Sequence, residues 1–448
     1  LDGFKDYASY SDGSNQKRWS NVRKGKEAVL KKAVGFIFGT LLVGVVFQVG
    51  YLLVLTLAAA FYRKPKTTIA TVNPDEFVII IPAHNEEITL PVALDAFKNL
   101  KVTDGSFIKA EQILVIADNC SDQTADIARA KGVMVYERQD AENRGKGFAL
   151  KYAFEKLLLD FPQYKYYAIF DADTIVDPDY LLHAISAMGQ NVQVMQGRYD
   201  ILQPEQNRRT MLMYVAFVLF NHIRPLGRRV LGFSDGLKGN GMVFRRDVLE
   251  KHPWRAYSIV EDIEYGTRLT EAGIKVEYVP EAKLYGQAPT SGKQAVSQRM
   301  RWEGGRGAQA RQDVPKLLKV ALKRRSLIPF DRAMDLIIPP LGLLFSIIVF
   351  FALVNALVWI VLGGTLLGII TLMWVIPMAG IFLFVLGGLL VARVPAKAFL
   401  ALAFAPFYIL WKLWVYFVLL TRRLPQEWVR TERTKIETDD ANRGKVQV

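Results

Sequence analysis

The tripeptide Asp171-Ala172-Asp173 ends the run Tyr166 to Phe170, whose aromatic and β-branched residues read as a buried strand. Side chains at i and i+2 of an extended chain point the same way, so both carboxylates can address one ligand. Two anions would repel a diphosphate unless a divalent cation lay between them. Oxygen ligands beside phosphates suit Mg2+ or Mn2+, which would act as a Lewis acid toward charge building on a departing diphosphate. On these residues alone, an acidic pair that caps and solvates a loop is the competing reading.

Four further clusters carry chemistry-bearing residues. Glu261 and Asp262 open a helix predicted to continue through 263–271. The helix dipole keeps a carboxylate there ionised, able to take a proton from a hydroxyl; either residue could also be a simple cap. Asn143-Arg144-Gly145-Lys146-Gly147 is a glycine-containing turn before a helix, so Lys146 and backbone amides offer a phosphate contact or form a solvated basic loop. In Ala117 to Thr124, Asp118 could accept a hydrogen bond from a base N–H, while Ser121 or Asp122 caps the next helix. Ile81 to Glu87, including Ala83 and Glu86, could hold a nucleobase, or Asn85 or Glu86 could cap a helix. Finally, Gln298, Arg301 and Trp302 at i, i+3 and i+4 share one helical face. That face combines an amide, a phosphate-binding guanidinium and a ring on which a sugar could stack; Trp302 alone would fit an interfacial anchor.

The elements that must position these residues alternate between strand and helix. Strands are predicted at 77–81, 112–118, 133–137, 193–201, 241–245 and 275–279 besides the one ending at Asp171. Helices are predicted at 85–99, 122–130, 146–159 and 179–188, with an apolar helical stretch at 211–225. This order predicts an α/β fold with a largely parallel sheet covered on both faces, ligands binding at the carboxyl ends of its strands.

The 448 residues carry a formal charge of +14, and 51% are hydrophobic. Apolar residues concentrate at 33–62 and 335–421, and basic ones crowd beside them: Arg18, Arg23, Lys24, Lys31, Lys32, Arg63, Lys64 and Lys66 at one end, Arg324, Arg325, Arg422 and Arg423 at the other. Cations flanking spans are what anionic lipid surfaces select, which argues for membrane lipids and against nucleic acid as partner. The single Cys120 excludes an internal disulfide. The expected organisation is a basic segment at 1–32 without strong periodicity, mobile or lying on the membrane surface, a retained transmembrane helix at 33–62, an α/β domain at 76–303, amphipathic interface helices at 304–333, transmembrane helices at 335–421 and a polar tail at 422–448. Runs 336–362, 366–391 and 398–420 are each long enough to span, Pro339 and Pro340 kinking the first. One span before the domain and three after it leave both basic termini opposite the domain. The run 398–420, interrupted by Pro406 and Lys412, is therefore the one expected not to cross fully.

Taken together, Asp171 to Asp173, Glu261-Asp262 and the Q-x-x-R-W pattern of Gln298, Arg301 and Trp302 resemble the membrane-bound family 2 glycosyltransferases, the group with cellulose, chitin and hyaluronan synthases. The stretches ADNCSDQTADIAR, NRGKGFAL, FNHIRPLGR and QRMRWEGGR are most similar to its bacterial exopolysaccharide branch, which includes a methanolan-biosynthesis transferase. The resemblance implies a GT-A-type, Rossmann-like domain between transmembrane helices and an inverting, metal-dependent transferase using a UDP-sugar. Its acceptor would be a polysaccharide or a lipid-linked sugar, in a bacterial inner membrane with the domain cytosolic and export subunits as possible partners. By the same resemblance Asp118 would contact uracil, Asp171 the nucleotide, and Asp173 the metal. Asp262, next to Glu261, would be the general base. Gln298 and Arg301 would hold diphosphate, Trp302 would lie beneath the acceptor sugar, and Asn240 would sit in a small-residue turn near it. Ala117 stands where many members have a second acid, and Val260 where many have threonine.

Overall fold

Strand β1 (Phe77–Ala83) is buried along its whole length, so it needs a packing layer on each face of its sheet. Phe77, Ile79 and Ile81 point into one layer with helix α2 (Leu90–Lys98) and helix α5 (Tyr180–Gly189). Val78 and Ile80 point into the other, against helix α4 (Lys146–Asp160) and helix α9 (Glu261–Ala272). The computed structural model describes residues 10–65, 72–103, 105–288, 296 and 298–421. Lys66, Arg422, Arg423 and the tail 422–448 lie outside them.

After β1 come β2 (Lys101–Thr103) and β3 (Ser106–Phe107), a separate antiparallel pair, then β4 (Ile113–Asp118), β5 (Met134–Arg138), β6 (Tyr166–Ile169) and β7 (Ile175–Val176). The strands β8 (Val194–Ile201), β9 (Met242–Arg245) and β10 (Val276–Gly286) complete an eight-stranded sheet ordered β5-β4-β1-β6-β9-β8-β10-β7. The sheet is mixed rather than largely parallel, because β9 runs antiparallel to both β6 and β8, and β7 antiparallel to β10. The turn before β9 explains the reversal. Gly239 and Gly241 have φ of 76° and 66°, a region that favours glycine, and they bring Met242 opposite Ile169 at the end of β6. The tip of that turn therefore faces the Asp171–Asp173 segment. Strand β10 runs past the predicted Val279 to Gly286, with its register shifting between Val279 and Lys283, where Pro280 lacks an N–H.

Helix α1 (Tyr10–Ala60) begins ahead of the apolar run, within the basic segment. Helix α3 (Thr124–Ala130) follows β4. Between β8 and β9 the chain forms α6 (Arg208–Phe217), a π-helical turn at Val218–Ile223, and α7 (Arg224–Val230). Helix α8 (Arg246–Lys251) follows β9. The amphipathic region forms a helix at Leu327–Ile337, begun by the Ser326 hydroxyl, after a first helix at Gly305–Arg324. Gly305, Gln309, Asp313, Leu317 and Ala321 are its buried positions, a spacing of four that makes one stripe.

Leu336 belongs to the Leu327–Ile337 helix and not to the next span, since Pro339 and Pro340 separate the two helices instead of kinking one. Among the described residues, four helical stretches are long and apolar enough to cross a membrane: Arg18–Ala60, Leu341–Leu362, Thr365–Ala392 and Ala396–Trp414. The chain divides into two compact units, one of Leu1–Leu53 with Gly342–Phe384, the other of Val54–Leu341 with Val385–Val448. In the first, Asn355 donates to Thr371 Oγ1 at 2.7 Å, satisfying a buried amide between apolar helices. The second contains the sheet and every residue singled out above for chemistry.

Candidate active site

Strand β6 stops at Ile169, and Asp171 to Thr174 is a turn closed by Thr174 N–H donating to the Asp171 carbonyl at 3.2 Å. The two carboxylates are therefore not aligned by strand alternation. Asn240 sets the turn: its Oδ1 accepts from the Asp171 N–H at 3.2 Å, and its Nδ2 donates to Thr174 Oγ1 at 2.8 Å. With its amide engaged at both ends and the residue fully buried, Asn240 positions the acidic turn instead of facing an acceptor as expected. Gln196 on β8 holds the same loop by donating to the Asn240 carbonyl and accepting from Lys238 N–H.

Lys146, the first residue of α4, is where sequence-distant parts meet. Its ammonium is paired with Asp171, donates to the Gly239 carbonyl at 2.6 Å and lies 4.0 Å from Glu261. Gly145 before it has φ of 127°, and a Cβ on Gly147 after it would lie 2.2 Å from the Ala256 carbonyl oxygen, so glycine is required for this close packing. Burial disfavours the charge on Lys146, but Asp171, Glu261 and Asp262 outweigh it and keep the ammonium protonated beyond the ordinary lysine range. The phosphate contact expected of Lys146 thus has a buried cation at the centre of an acidic cluster behind it.

Glu261 and Asp262 open α9 as expected, but the helix dipole does not decide their titration. Burial pushes both carboxyls up; Lys146 and backbone N–H groups pull them back, while each anion opposes charge on Glu261's side of the pair. A carboxylate lifted toward neutrality is a stronger base than an exposed one. A Cβ on Gly239 would sit 3.5 Å from both Asp262 Oδ2 and Lys146 Nζ, so this turn also lies against Asp262.

At the other end, Asp118 is fully buried at the tip of β4, opposite Arg138 of β5 in the strand register. Its Oδ1 accepts from Arg138 at 2.6 Å, while its buried Oδ2 has no hydrogen-bond partner among the described residues, nor does the buried Nδ2 of Asn119. One acceptor and one donor are thus left side by side in sequence, the complement a nucleobase edge requires. Ala83 pairs with Ala117 across the sheet, and His84 Nδ1 meets the Asp118 carbonyl at 2.7 Å. Glu86 accepts from the Thr89 hydroxyl and its own N–H donates to Thr124, so it fastens the loop before α2. That helix starts at Leu90, later than predicted. The N-cap of α3 is Gln123 and not Ser121 or Asp122, although the Asp122 carboxylate accepts from Thr124 N–H at 3.0 Å; Ser121 N–H donates to Asn85.

Gln298 is buried with its Oε1 lacking a hydrogen-bond partner among the described residues. Met300–Gly304 is a π-helical turn, so the α-helical 3.6-residue period behind the expected shared face of Gln298, Arg301 and Trp302 does not hold there. The Trp302 ring packs 6.1 Å from Phe217, centroid to centroid, with Arg299 over it. A Cβ on Gly305 would lie 2.7 Å from Val260, which seats this turn on the residue preceding Glu261. Glu303, within the turn, pairs at 2.9 Å with Lys412, the one charge in the described part of the last apolar helix; both side chains are buried.

Sequence reasoning missed Arg138, and it missed a buried ionic cluster under α9. Asp335 meets Arg224, Arg228 at 2.8 Å and Arg332 at 3.1 Å, and Arg332 also donates to the Ile263 carbonyl in the first turn of α9. Burial would raise the Asp335 carboxyl, but the surrounding guanidiniums hold it well below its ordinary value. Arginines and an acid on two separate helices carry no sequence mark that pairs them. The register opposing Asp118 to Arg138 is the one available signal, once β4 and β5 are placed side by side.

For a divalent cation the donor set is Asp173, buried, and Asp171, about a third exposed. No group of three His, Cys, Asp or Glu side chains forms a cation cage among the described residues. Two carboxylates fit an ion of the Mg2+ or Mn2+ type, which completes its shell from diphosphate oxygens and water.

The family model described as glycosyltransferase like family 2 matches residues 74–305, more than half of the chain. The chain belongs to that family, and its α/β domain is GT-A-like with a large mixed sheet. It is similar to the probable glycosyltransferase YdaM of Bacillus subtilis, 24% identical over 236 residues, which are 51% of this chain and 54% of that protein. Glucomannan 4-beta-mannosyltransferase 7 of Arabidopsis thaliana is 30% identical over 38% of this chain and 31% of its own length. The chain thus spans about half or less of the curated relatives it matches. Among solved structures, the mannosyltransferase PcManGT from Pyrobaculum calidifontis, in complex with GDP-Man and Mn2+, is 15% identical over 78% of this chain and 97% of that one, with a TM-score of 0.42.

Proposed function

We propose that this chain is a membrane-embedded inverting glycosyltransferase that moves a sugar from a UDP-sugar to a hydroxyl of a growing exopolysaccharide. The observation that carries this reading is the convergence on the Lys146 ammonium of Asp171, the Gly239 carbonyl and Glu261. Asp262 takes the acceptor proton as the hydroxyl oxygen attacks the anomeric carbon, and the bond to UDP breaks in the same displacement. Glu261 sets the local charge beside it. Lys146, Arg301 and Gln298 face the diphosphate, whose charge grows as it leaves. Asp173, with Asp171 beside it, would hold Mg2+ or Mn2+, which supplies Lewis-acid neutralisation of that charge. The orphaned Asp118 Oδ2 and Asn119 Nδ2 suit the N3–H and a carbonyl of uracil. Ala83 and Glu86 shape the loop beside that base, and Trp302 offers the acceptor its ring. The four apolar stretches support a multi-pass protein of the bacterial inner membrane, with the α/β domain cytosolic.

The test uses purified protein in nanodiscs with Mg2+ or Mn2+ and a panel of UDP-glucose, UDP-N-acetylglucosamine, UDP-galactose, UDP-glucuronate and GDP-mannose. Release of nucleoside diphosphate from one donor is expected, with Asp262→Asn lowering the rate about 10²–10⁴-fold, the range for loss of a general base. Normal turnover by Asp262→Asn would remove the base assignment. Product mass separates a polymer from a single sugar on a lipid.

A further inference from the structure

The first turn of α6 carries Arg208 and Arg209, cations placed where the helix dipole is already positive. Among the described residues Arg209 has no carboxylate partner. Its guanidinium lies 4.9 Å over the Trp411 ring, and its Nη2 is buried without a hydrogen-bond partner among the described residues. Arg208 lies 4.0 Å over Phe404. Arg209, Thr210, Met213, Arg299, Tyr408 and Trp411 line a pocket there. Arg299 donates to the Tyr408 hydroxyl at 3.3 Å and pairs at 3.6 Å with Glu303, which also pairs with Lys412. Two guanidiniums, of Arg209 and Arg299, therefore line a pocket that Tyr408 and Trp411 of an apolar helix wall.

We propose that this pocket binds the phosphate of a lipid headgroup, with Arg209 and Arg299 as its ligands. A phosphate would satisfy the orphaned Nη2 of Arg209, through charge-assisted bonds that guanidinium planes make well. The lipid source follows from the pocket's wall. On the same helix Phe407, Leu410 and Trp414 are 73%, 64% and 55% exposed, an apolar surface along which acyl or prenyl chains lie, and Tyr408 and Trp411 are the aromatic types favoured at headgroup depth. Arg299 also stacks over Trp302, so the bound phosphate lies one side chain from the ring assigned to the acceptor.

The site goes beyond sugar transfer, and its test needs no turnover. Full-length protein is delipidated in detergent and given phosphatidylglycerol, phosphatidylcholine, a polyprenyl monophosphate or inorganic phosphate, and retained adducts are read by native mass spectrometry. The wild type is expected to retain phosphatidylglycerol or the polyprenyl phosphate. Arg209→Gln should weaken retention about ten- to a hundredfold, the worth of a charged hydrogen bond; Arg209→Lys should keep part of it, and exposed Arg311→Gln should not change it. Displacement of phosphatidylglycerol by the polyprenyl phosphate supports an acceptor-type lipid, and its persistence supports a structural lipid. Equal retention by wild type and a folded Arg209→Gln, equal binding of phosphatidylcholine, or full competition by inorganic phosphate overturns the proposal. An enzyme that releases no UDP yet retains lipid through Arg209 would defeat the proposed activity and leave this site standing.

Discussion

At the scale of single residues, Lys146 is the side chain on which the acidic groups depend. Because the base must be deprotonated, kcat/KM should rise with pH through an apparent value above the ordinary 3.8 of Asp and 4.5 of Glu, since burial raises both. That limb belongs to the Glu261–Asp262 pair and not to either residue alone. Lys146 pulls both carboxyls down, so Lys146→Gln should move the limb to higher pH, and should lower kcat by about 10²–10³-fold as an electrostatic contact to the leaving group is lost. A pH–rate profile of the variant checks both, and an unmoved limb would show that the pair is not what titrates. Gly239→Ala should impair the enzyme from a different cause: a left-handed φ of 76° strains any Cβ, and the turn lies against Asp262 and Lys146. Its donor KM and kcat, set beside those of Lys146→Gln, separate geometry from charge.

At the scale of elements, α9 is held by charges that the reaction does not use. Asp335→Asn would leave the guanidiniums of Arg224, Arg228 and Arg332 facing a neutral side chain, at a cost of about 3–5 kcal/mol for a broken buried cluster. Exposed Arg268→Gln, which loses a surface pair with Glu264, should cost about 0–1 kcal/mol. Thermal unfolding in detergent compares the two. What the sequence made legible follows the same division. Strand β1 and the helices around it were readable because uninterrupted apolar runs and 3.6-residue periods are local patterns. The motif Asp171 to Asp173 was readable too, though as a strand end where the chain makes an Asn240-braced turn. Asp118 with Arg138 depends on strand register, and the π-helical turn at Met300–Gly304 on a helix gaining a residue per turn; neither leaves a local mark. Reversal of β9 depends on two left-handed glycines whose conformation no composition rule specifies.

Across the whole molecule, the family 2 domain and four apolar helical stretches make one chain in which soluble chemistry and a lipid phase adjoin in sequence. The pair between Glu303 and Lys412 bears on how such a chain is made. An unpaired lysine deep in an apolar helix resists insertion by roughly 2.5–3.5 kcal/mol. Glu303 is synthesised long before Lys412, so its counter-ion is waiting only if the turn carrying it has already folded. Biogenesis then acquires an order. On the proposed membrane topology the last helix settles stably after the Met300–Gly304 turn is in place, and a Glu303→Gln chain should show slower protease protection of that helix during synthesis into microsomes or vesicles, even where its early spans integrate normally.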